Sequence, residues 1–335
     1  MTPSSHRAEP TVQLLEAVRH EYALTDLAVT RDLGGNFNLN LQISTQQGHF
    51  VVRACPPWVT PDRLTAVQAV RAHLRVRDWP IPQTLRTRTG ASMLRTSDHM
   101  IEVEQFVEPR GVPMTTWPTI TAALPWLARL HDALLDAPSS PAAADPPFAN
   151  HVPPHTDLTL AITAIRTWDL PPTEATYLNA AALNAAAHLA ASLPHPALPT
   201  QLVHGDFWAT NVHLSGDRLT LLLDFDFLGD RARVDDLALT LFFINEHLGR
   251  DDVTPSRLAA LRQLVDSYDS ALTTPLTEAE RAALPHAILR TPLTFLQDLA
   301  YLGPTSRAEL TSLRGPQYEW ALGQLNDPTW LSAFV

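Results

Sequence analysis

The sequence predicts an α+β fold with two lobes, a small lobe built on an antiparallel sheet and a larger, mainly helical lobe. Residues 27–53 form strand-length runs of alternating apolar and polar residues, separated by turns that contain glycine. Most of the chain after Thr119 instead has apolar residues at helical spacing, interrupted by a hairpin at 203–227. A chain of 335 residues is long enough for both lobes. We expect the first lobe to span residues 1–107 and the second 108–335.

Composition narrows the class of protein. Hydrophobic residues make up 45% of the chain and charged residues 18%, which is typical of globular proteins. The net charge of −11 argues against a nucleic-acid or membrane surface as partner and favours a cationic or polyol small molecule. The single cysteine, Cys55, cannot form an internal disulfide. Together with a polar N-terminus and no long apolar run, it predicts a soluble, cytoplasmic protein. We expect a monomer or a homodimer.

The small lobe is expected to begin with a helix and to continue as three strands. Apolar residues recur at helical spacing from Val12 to Tyr22, and alternating runs follow at 27–33, 39–43 and 50–53. Between the first two runs lies Gly34-Gly35-Asn36. Glycine adopts positive φ without steric cost, so this segment suits an ordinary turn. It also suits a loop whose backbone N–H groups approach a phosphate, and both interpretations stay open.

The remaining elements follow from periodicity and from proline breaks. His131 lies on an apolar helical face, where a hydrogen-bonded core residue is the favoured interpretation. Thr277 and Glu280 form a capping box that begins a late helix. The predicted segments are a helix at 61–77, strands at 92–96 and 100–104, a helix from Thr119, a loop at 137–155, and helices at 157–169 and 173–192.

The hairpin at 203–227 carries the candidate catalytic and metal-binding residues. Asp206 follows an apolar strand in His-Gly-Asp, Asn211 comes five positions later, and Asp224 ends a second apolar strand. This is the spacing of a phosphoryl-transfer centre, in which a carboxylate orients a hydroxyl and accepts its proton. Magnesium prefers hard oxygen ligands, so Asn211 and Asp224 are candidate metal ligands. His204 is a candidate beside Asp206, although a residue that braces the loop is the favoured interpretation.

Residues 203–242 resemble the aminoglycoside phosphotransferase and choline kinase superfamily, whose members carry His-Gly-Asp followed by Asn five positions after the Asp. The run from Asp224 to Asp236-Leu237-Ala238 is similar to the branch that contains homoserine kinase type II. The resemblance implies a bilobal protein-kinase-like fold that uses ATP and Mg²⁺. The expected reaction is transfer of the γ-phosphate to a hydroxyl of an aminoglycoside or other antibiotic, an amino sugar or an amino alcohol.

The resemblance also assigns roles within this hairpin. It implies that Asp206 is the catalytic base, that Asn211 and Asp224 bind magnesium with Asp226 as a further ligand, and that Asp236 braces the catalytic loop. A plain structural interpretation exists for each part, since His-Gly-Asp is a common turn and Asp-Phe-Asp can end an ordinary strand. The conjunction of strand, loop, hairpin and a helix opening at Asp236 favours the catalytic interpretation.

In the small lobe, the resemblance assigns the nucleotide. It implies that Gly34, Gly35 and Asn36 form a lid over the nucleotide and that Arg53 holds its phosphates. Glu104 and Phe106 would lie at the hinge that contacts adenine. A plain exit from an edge strand explains the hinge segment equally well.

Arg53 is where the sequence departs from the protein kinase pattern, which has a lysine on the third strand. The chain contains no lysine, and the next helix offers Gln68 where a glutamate is expected. Glutamine is able to hydrogen-bond a guanidinium but cannot neutralise its charge. This departure motivates an alternative, a catalytically silent kinase fold that binds nucleotide. The intact set of Asp206, Asn211 and Asp224 favours the enzyme.

The acceptor has no readable code in the sequence. An acidic group follows the hairpin and comprises Asp230, Asp235, Glu246, Asp251 and Asp252. A solvated face is the favoured interpretation, because charged residues are mostly exposed, and an amine-binding wall is the alternative.

Overall fold

The computed structural model describes residues 7–35, 37–146, 150–152, 156, 158–168, 180–194, 196–247, 255–297 and 314–335. Within these ranges the order of elements is sheet first and helices afterwards, as predicted. The small lobe consists of α1 (Val12–Glu21), β1 (Ala28–Asp32), β2 (Leu39–Thr45), β3 (Gly48–Ala54), α2 (Pro61–Arg75), β4 (Leu94–Arg95) and β5 (Met100–Gln105).

The small lobe is an antiparallel sheet with the strand order β1-β2-β3-β5-β4. Because strand side chains alternate between faces, the central strands β2, β3 and β5 give the sheet one apolar and one polar face. The apolar face forms a core with α1, whose Val18 is fully buried. On the other face, Asn40, Arg53 and Glu102 are neighbours in register across β2, β3 and β5. This polar face lies toward α2, whose side chains bond Glu102.

The larger lobe combines a small sheet with helices. Its elements are β6 (Val112–Met114), α3 (Trp117–Leu134), α4 (Pro141–Ala144), α5 (Leu158–Arg166), α6 (Ala180–Ser192), β7 (Gln201–Val203), β8 (Ala209–Ser215), β9 (Arg218–Leu222), β10 (Gly229–Arg231), α7 (Arg233–His247), α8 (Pro255–Asp269), α9 (Glu278–Arg290), a 3₁₀ turn at Thr291–Leu293, α10 (Arg314–Gln324) and α11 (Pro328–Leu331). A continuous apolar core joins α3, α7, α8 and α9 beneath the hairpin β8–β9.

Local signals set the helix ends. Thr60 caps α2 by accepting a hydrogen bond from the Arg63 N–H, and Pro61 occupies the first turn. The predicted capping box at Thr277 and Glu280 is present and begins α9. His131 is fully buried and bonds two side chains, which confirms its interpretation as a satisfied core residue.

Several boundaries differ from the predictions. The strand predicted at 92–96 is reduced to two residues, and α2 ends at Arg75 rather than at residue 77. The predicted loop at 137–155 contains the short helix α4, and β6 pairs with β8, which the sequence did not indicate. The helix predicted at 173–192 is observed from Ala180, and residues 169–179 lie outside the described ranges. Within those ranges, no helix combines the length and apolar character needed to cross a membrane.

Candidate active site

The catalytic loop predicted by the sequence runs from the end of β7 to the start of β8, and it contacts the loop that follows β9. Gly205 has a φ of +82°, and a Cβ at this position would lie 2.3 Å from the carbonyl oxygen of Phe227. Only glycine therefore fits both the backbone conformation and the close approach. The contact fixes Asp206 beside the segment that carries Asp224 and Asp226.

Asp236 ties the catalytic loop to α7. Its carboxylate accepts the backbone N–H of Gly205 at 2.9 Å and that of His204 at 3.2 Å. The same carboxylate bonds Nε2 of His131 at 3.0 Å, and the residue is only 1% exposed. These are the contacts of a residue that braces the loop, and the role assigned to Asp236 stays a prediction.

His204 is fully buried beneath the loop rather than open to the cleft. Its Nδ1 accepts the N–H of Asp206 at 3.2 Å, and its Nε2 donates to the carbonyl of Leu223 at 3.0 Å. These two partners define the tautomer, because one nitrogen accepts and the other donates. Burial lowers the pKa of His204 to about 4, so the ring is neutral near pH 7. The geometry favours the bracing interpretation over the catalytic one.

Asp206 and Asn211 meet as their spacing indicates. The side-chain amide of Asn211 donates to Oδ2 of Asp206 at 2.8 Å and to the Asp206 carbonyl at 3.1 Å. The Asn211 amide oxygen remains an available oxygen donor for a cation. Burial, and then the negative charge of Asp224, raise the pKa of Asp206 to about 8. A raised pKa makes the ionised carboxylate a stronger base toward a hydroxyl proton.

Asp224 lies in a left-handed backbone conformation with a φ of +61°. Such a conformation is uncommon outside glycine, although Asp and Asn tolerate it best, and it often marks functional positions. Burial and the neighbouring Asp226 raise the pKa of Asp224 to about 7. A cavity of about 260 Å³ brings Asp206, Asp224 and Asp226 together beneath the Gly35 backbone, with Trp58 in its wall.

The oxygen donors at this cavity fit a magnesium ion that also binds nucleotide phosphates. Within the described ranges, no group of three His, Cys, Asp or Glu side chains is arranged as a metal site by itself. Magnesium in phosphoryl-transfer enzymes is usually held by one or two carboxylates together with phosphate oxygens. Asp224, Asp226 and the amide oxygen of Asn211 supply that type of partial ligand set. Burial, and then the negative charge of Asp226, raise the pKa of Asp224, and a bound cation would favour its ionised form.

The glycine loop over the cavity is partly described. Gly34 and Gly35 both have positive φ, and a Cβ on Gly35 would lie 2.8 Å from the side chain of Asn40. The N–H of Gly34 is taken by the Asp32 carboxylate at 2.8 Å. Asn36 lies outside the described residues. The lid function of this loop stays a prediction.

Arg53 reaches both lobes. Its Nη1 bonds Glu102 at 3.2 Å, and its Nη2 contacts Asp226 at 3.0 Å. The expectation that Gln68 is able to bond the guanidinium is wrong for this structure, because the Gln68 amide donates to Glu102 at 2.8 Å instead. Glu102 is the functional candidate that sequence reasoning missed. The signal that could have found it is an acidic residue inside an otherwise apolar strand.

The two hinge residues differ from each other. Glu104 is buried, with its carboxylate against Arg71 and 3.5 Å from Nη1 of Arg53. Its side chain therefore belongs to the ionic network and not to a base-binding edge. Phe106 is half-buried, and its backbone N–H donates to the carbonyl of His49 at 3.0 Å. That N–H is already used within the lobe, and adenine recognition at this segment stays a prediction.

The acidic group after the hairpin does not form one face. Asp230 is exposed, whereas Asp235 is paired with Arg290 at 2.5 Å. Glu246 accepts a hydrogen bond from Gln317 at 2.7 Å. The interpretation as a solvated face holds for Asp230 and is wrong for Asp235. Residues 251 and 252 lie outside the described ranges.

This chain is similar to known phosphotransferases. Residues 28–272 match the model of a family described as the phosphotransferase enzyme family. A homoserine kinase of Rhodopseudomonas palustris strain BisB5 is 28% identical over 285 residues, which cover 83% of this chain and 81% of that protein.

Two solved structures have similar folds. A microcompartment-associated aminopropanol kinase has a TM-score of 0.68 and 19% identity, with coverage of 96% of this chain and 98% of that chain. An amicoumacin kinase in complex with AMP-PNP and Ca²⁺ has a TM-score of 0.66 and 11% identity, with 94% of each chain covered. The bilobal kinase-like fold predicted from the sequence is thereby confirmed.

Proposed function

The chain belongs to the phosphotransferase enzyme family and is an ATP-dependent phosphotransferase with a hydroxyl acceptor, and from this we propose that its acceptor is a small amino alcohol. The observation that carries the proposal is the similarity to a homoserine kinase over 83% of this chain and 81% of that protein, together with a cavity where the candidate base Asp206 meets Asp224 and Asp226.

Charge and relatives support the same acceptor class. Asp224 and Asp226 are proposed magnesium ligands, and the charge of the third cavity carboxylate, Asp206, would favour an ammonium group near the reacting hydroxyl. The curated relatives with matching coverage are homoserine kinases, and homoserine is a small amino alcohol with a carboxylate. A similar fold is that of an aminopropanol kinase. Homoserine and aminopropanol are therefore the first acceptors to test.

The proposed mechanism assigns one task to each residue. Asp206 orients the acceptor hydroxyl and takes its proton as the oxygen bonds the γ-phosphorus and the bond to the β-phosphate oxygen breaks. Asn211, Asp224 and Asp226 would hold magnesium, which would supply positive charge to neutralise the phosphates. Arg53 holds nucleotide phosphates. His204 and Asp236 keep the loop in place through the bonds described above.

The silent alternative is weakened by one contact. It was motivated by the missing lysine and by Gln68, which left Arg53 without an acidic partner in the small lobe. Glu102 provides that acid at 3.2 Å, so the cation is held on the face that borders the cavity. The alternative is retained as an outcome of the acceptor test.

The test is an acceptor panel with Mg-ATP, comprising homoserine, aminopropanol, an amino sugar and an aminoglycoside, run with the wild type and with Asp206→Asn as the matched control. We expect transfer to an amino alcohol with kcat/KM at least about tenfold above that of the aminoglycoside, equivalent to about 1.4 kcal/mol of discrimination. A preference for the aminoglycoside would overturn the acceptor class. Binding of Mg-ATP without transfer to any alcohol would favour the silent alternative.

A further inference from the structure

Arg53 and Glu102 are direct partners in the register between β3 and β5. Side chains opposite each other on antiparallel strands are close neighbours, so this pairing is set by the sheet itself. Glu102 is completely buried, and its Oε1 lies 3.2 Å from Nη1 of Arg53. A carboxylate buried to this extent requires charged and hydrogen-bonding partners to remain ionised.

Helix α2 supplies the other partners of Glu102. The Gln68 amide donates to its Oε2 at 2.8 Å, and Nη1 of Arg71 contacts its two oxygens at 3.1 and 3.2 Å. Arg71 also pairs with Glu104. The small-lobe network therefore contains two buried arginines and two buried glutamates. A glutamate at position 68 would add a third acid to this balanced group, which explains why a neutral amide fits there.

The guanidinium of Arg53 is divided between two sets of partners. Its Nη1 is held by Glu102, whereas its Nη2 lies 3.0 Å from Asp226 and 3.7 Å from Asp224. The Nη2 edge thus lies against Asp224 and Asp226, two of the carboxylates that line the cavity. Glu102 fixes the opposite side of the fork, so that the Nη2 edge is held toward the reacting groups.

We propose that Glu102 is the acidic positioning residue of this phosphotransferase, which orients Arg53 toward the nucleotide phosphates in place of an acid on helix α2. The proposal rests on the proposed function in assigning Arg53 to the phosphates. Gln68 acts on Arg53 through Glu102, and Arg71 acts through Glu102 and Glu104. The acid that contacts Arg53 is consequently on the same sheet, and helix α2 supports that acid.

The test exchanges the acid between strand and helix, using Glu102→Gln, Gln68→Glu and the double variant that carries both changes. The readout is the Kd for Mg-ATP without acceptor, measured by calorimetry, with Arg53→Ala as the reference for complete loss of the contact. We expect Glu102→Gln to raise this Kd at least about tenfold, the size expected for a hydrogen bond to a charged group. The double variant should recover part of that loss, because it restores the negative charge of the network and the amide oxygen at position 102 is still able to accept from Arg53.

The variant Gln68→Ala tests the role of Gln68 without removing a buried charge. We expect it to change the Kd for Mg-ATP by less than about threefold, since Glu102 keeps both arginines. The inference is overturned if Gln68→Ala weakens binding as much as Arg53→Ala. It is also overturned if soluble Glu102→Gln binds Mg-ATP like the wild type, or if the exchange recovers nothing. The Kd for Mg-ATP is measured without acceptor, so it can be interpreted even if the acceptor panel gives no product. A wrong acceptor class would therefore not overturn the role of Glu102.

Discussion

The catalytic loop and the Arg53 network are held together in different ways. The loop around Asp206 is held by a residue of the same sequence motif. Asp236 bonds the backbone of Gly205, which lies 31 residues earlier in the sequence. Arg53 instead bonds Glu102 across 49 residues and Asp226 across 173. One site is a continuous stretch of sequence, whereas the other exists only after two strands and two lobes have come together.

This difference separates chemistry from positioning. In the catalytic loop, glycine at position 205 and aspartate at 236 are each required by a local backbone contact, so substitution there is expected to disturb the reacting carboxylate directly. In the Arg53 network, several side chains share one carboxylate, and exchange between them is possible. We therefore expect large effects on turnover from the loop and smaller, exchangeable effects from the network.

The largest expected effect comes from Asp224→Asn. Asparagine tolerates the left-handed backbone at this position, so the variant removes charge with little strain. We expect turnover at saturating Mg-ATP to fall by about 100-fold or more, because the carboxylate is a proposed magnesium ligand. Initial rates over a magnesium titration provide the measurement. Asp217→Asn, at an exposed position in the β8–β9 turn, is the control, and equal activity of both variants would remove Asp224 from the metal site.

A smaller effect is expected at Arg63, which links the two regions. This buried arginine on α2 donates to the carbonyl oxygens of Asp226 at 2.8 Å and Leu228 at 2.7 Å, and it also bonds the end of α4. Arg63→Met should raise the magnesium concentration for half-maximal rate by about tenfold, the usual cost of removing a residue that orients a metal ligand.

The acceptor KM separates this role from a general loss of structure. We expect that KM to change little in Arg63→Met, because the contacts of Arg63 are to the metal-binding segment. Arg77→Met, at an exposed arginine beyond the end of α2, is the matched control. An unchanged magnesium requirement in folded Arg63→Met would show that the two regions are not linked through this residue.

The smallest expected effect is on stability and its dependence on pH. Burial and Asp224 raise the pKa of Asp206 to about 8, above its unfolded value near 3.8. A raised pKa means that the folded protein binds more protons, so the contribution to stability is full below pH 4 and is lost as pH rises from about 4 to 8. Asp206→Asn should remove this loss. Between pH 5 and pH 8, the free energy of unfolding of the variant should rise relative to that of the wild type by on the order of 1 kcal/mol. Urea denaturation without metal or nucleotide measures it, and parallel pH profiles would contradict it.

The same contrast explains what the sequence could predict. The helix start at Thr277 depends on neighbours within a few residues, and the loop through Gly205 belongs to a motif whose contacts, with Phe227 and Asp236, lie within about 30 residues. Glu102 could not be assigned, because β3 and β5 are adjacent in space but separated in sequence by α2 and β4. Gln68 was therefore expected beside Arg53, whereas the register of β3 and β5 places Glu102 there. His204 was kept as a catalytic candidate, with bracing of the loop as the favoured interpretation, because sequence alone does not reveal which way its ring faces.

The central claim is that Asp206 acts on the acceptor hydroxyl, and Asp206→Asn tests it most directly. Once the panel has given an acceptor, Mg-ATP affinity and single-turnover phosphoryl transfer are measured on the same preparation. We predict that the variant retains Mg-ATP affinity within a few-fold, since Asn211 is able to bond an amide at this position, while transfer falls by about 100-fold or more, the lower range of general-base contributions. Transfer at the wild-type rate would contradict the assignment of Asp206 as the base.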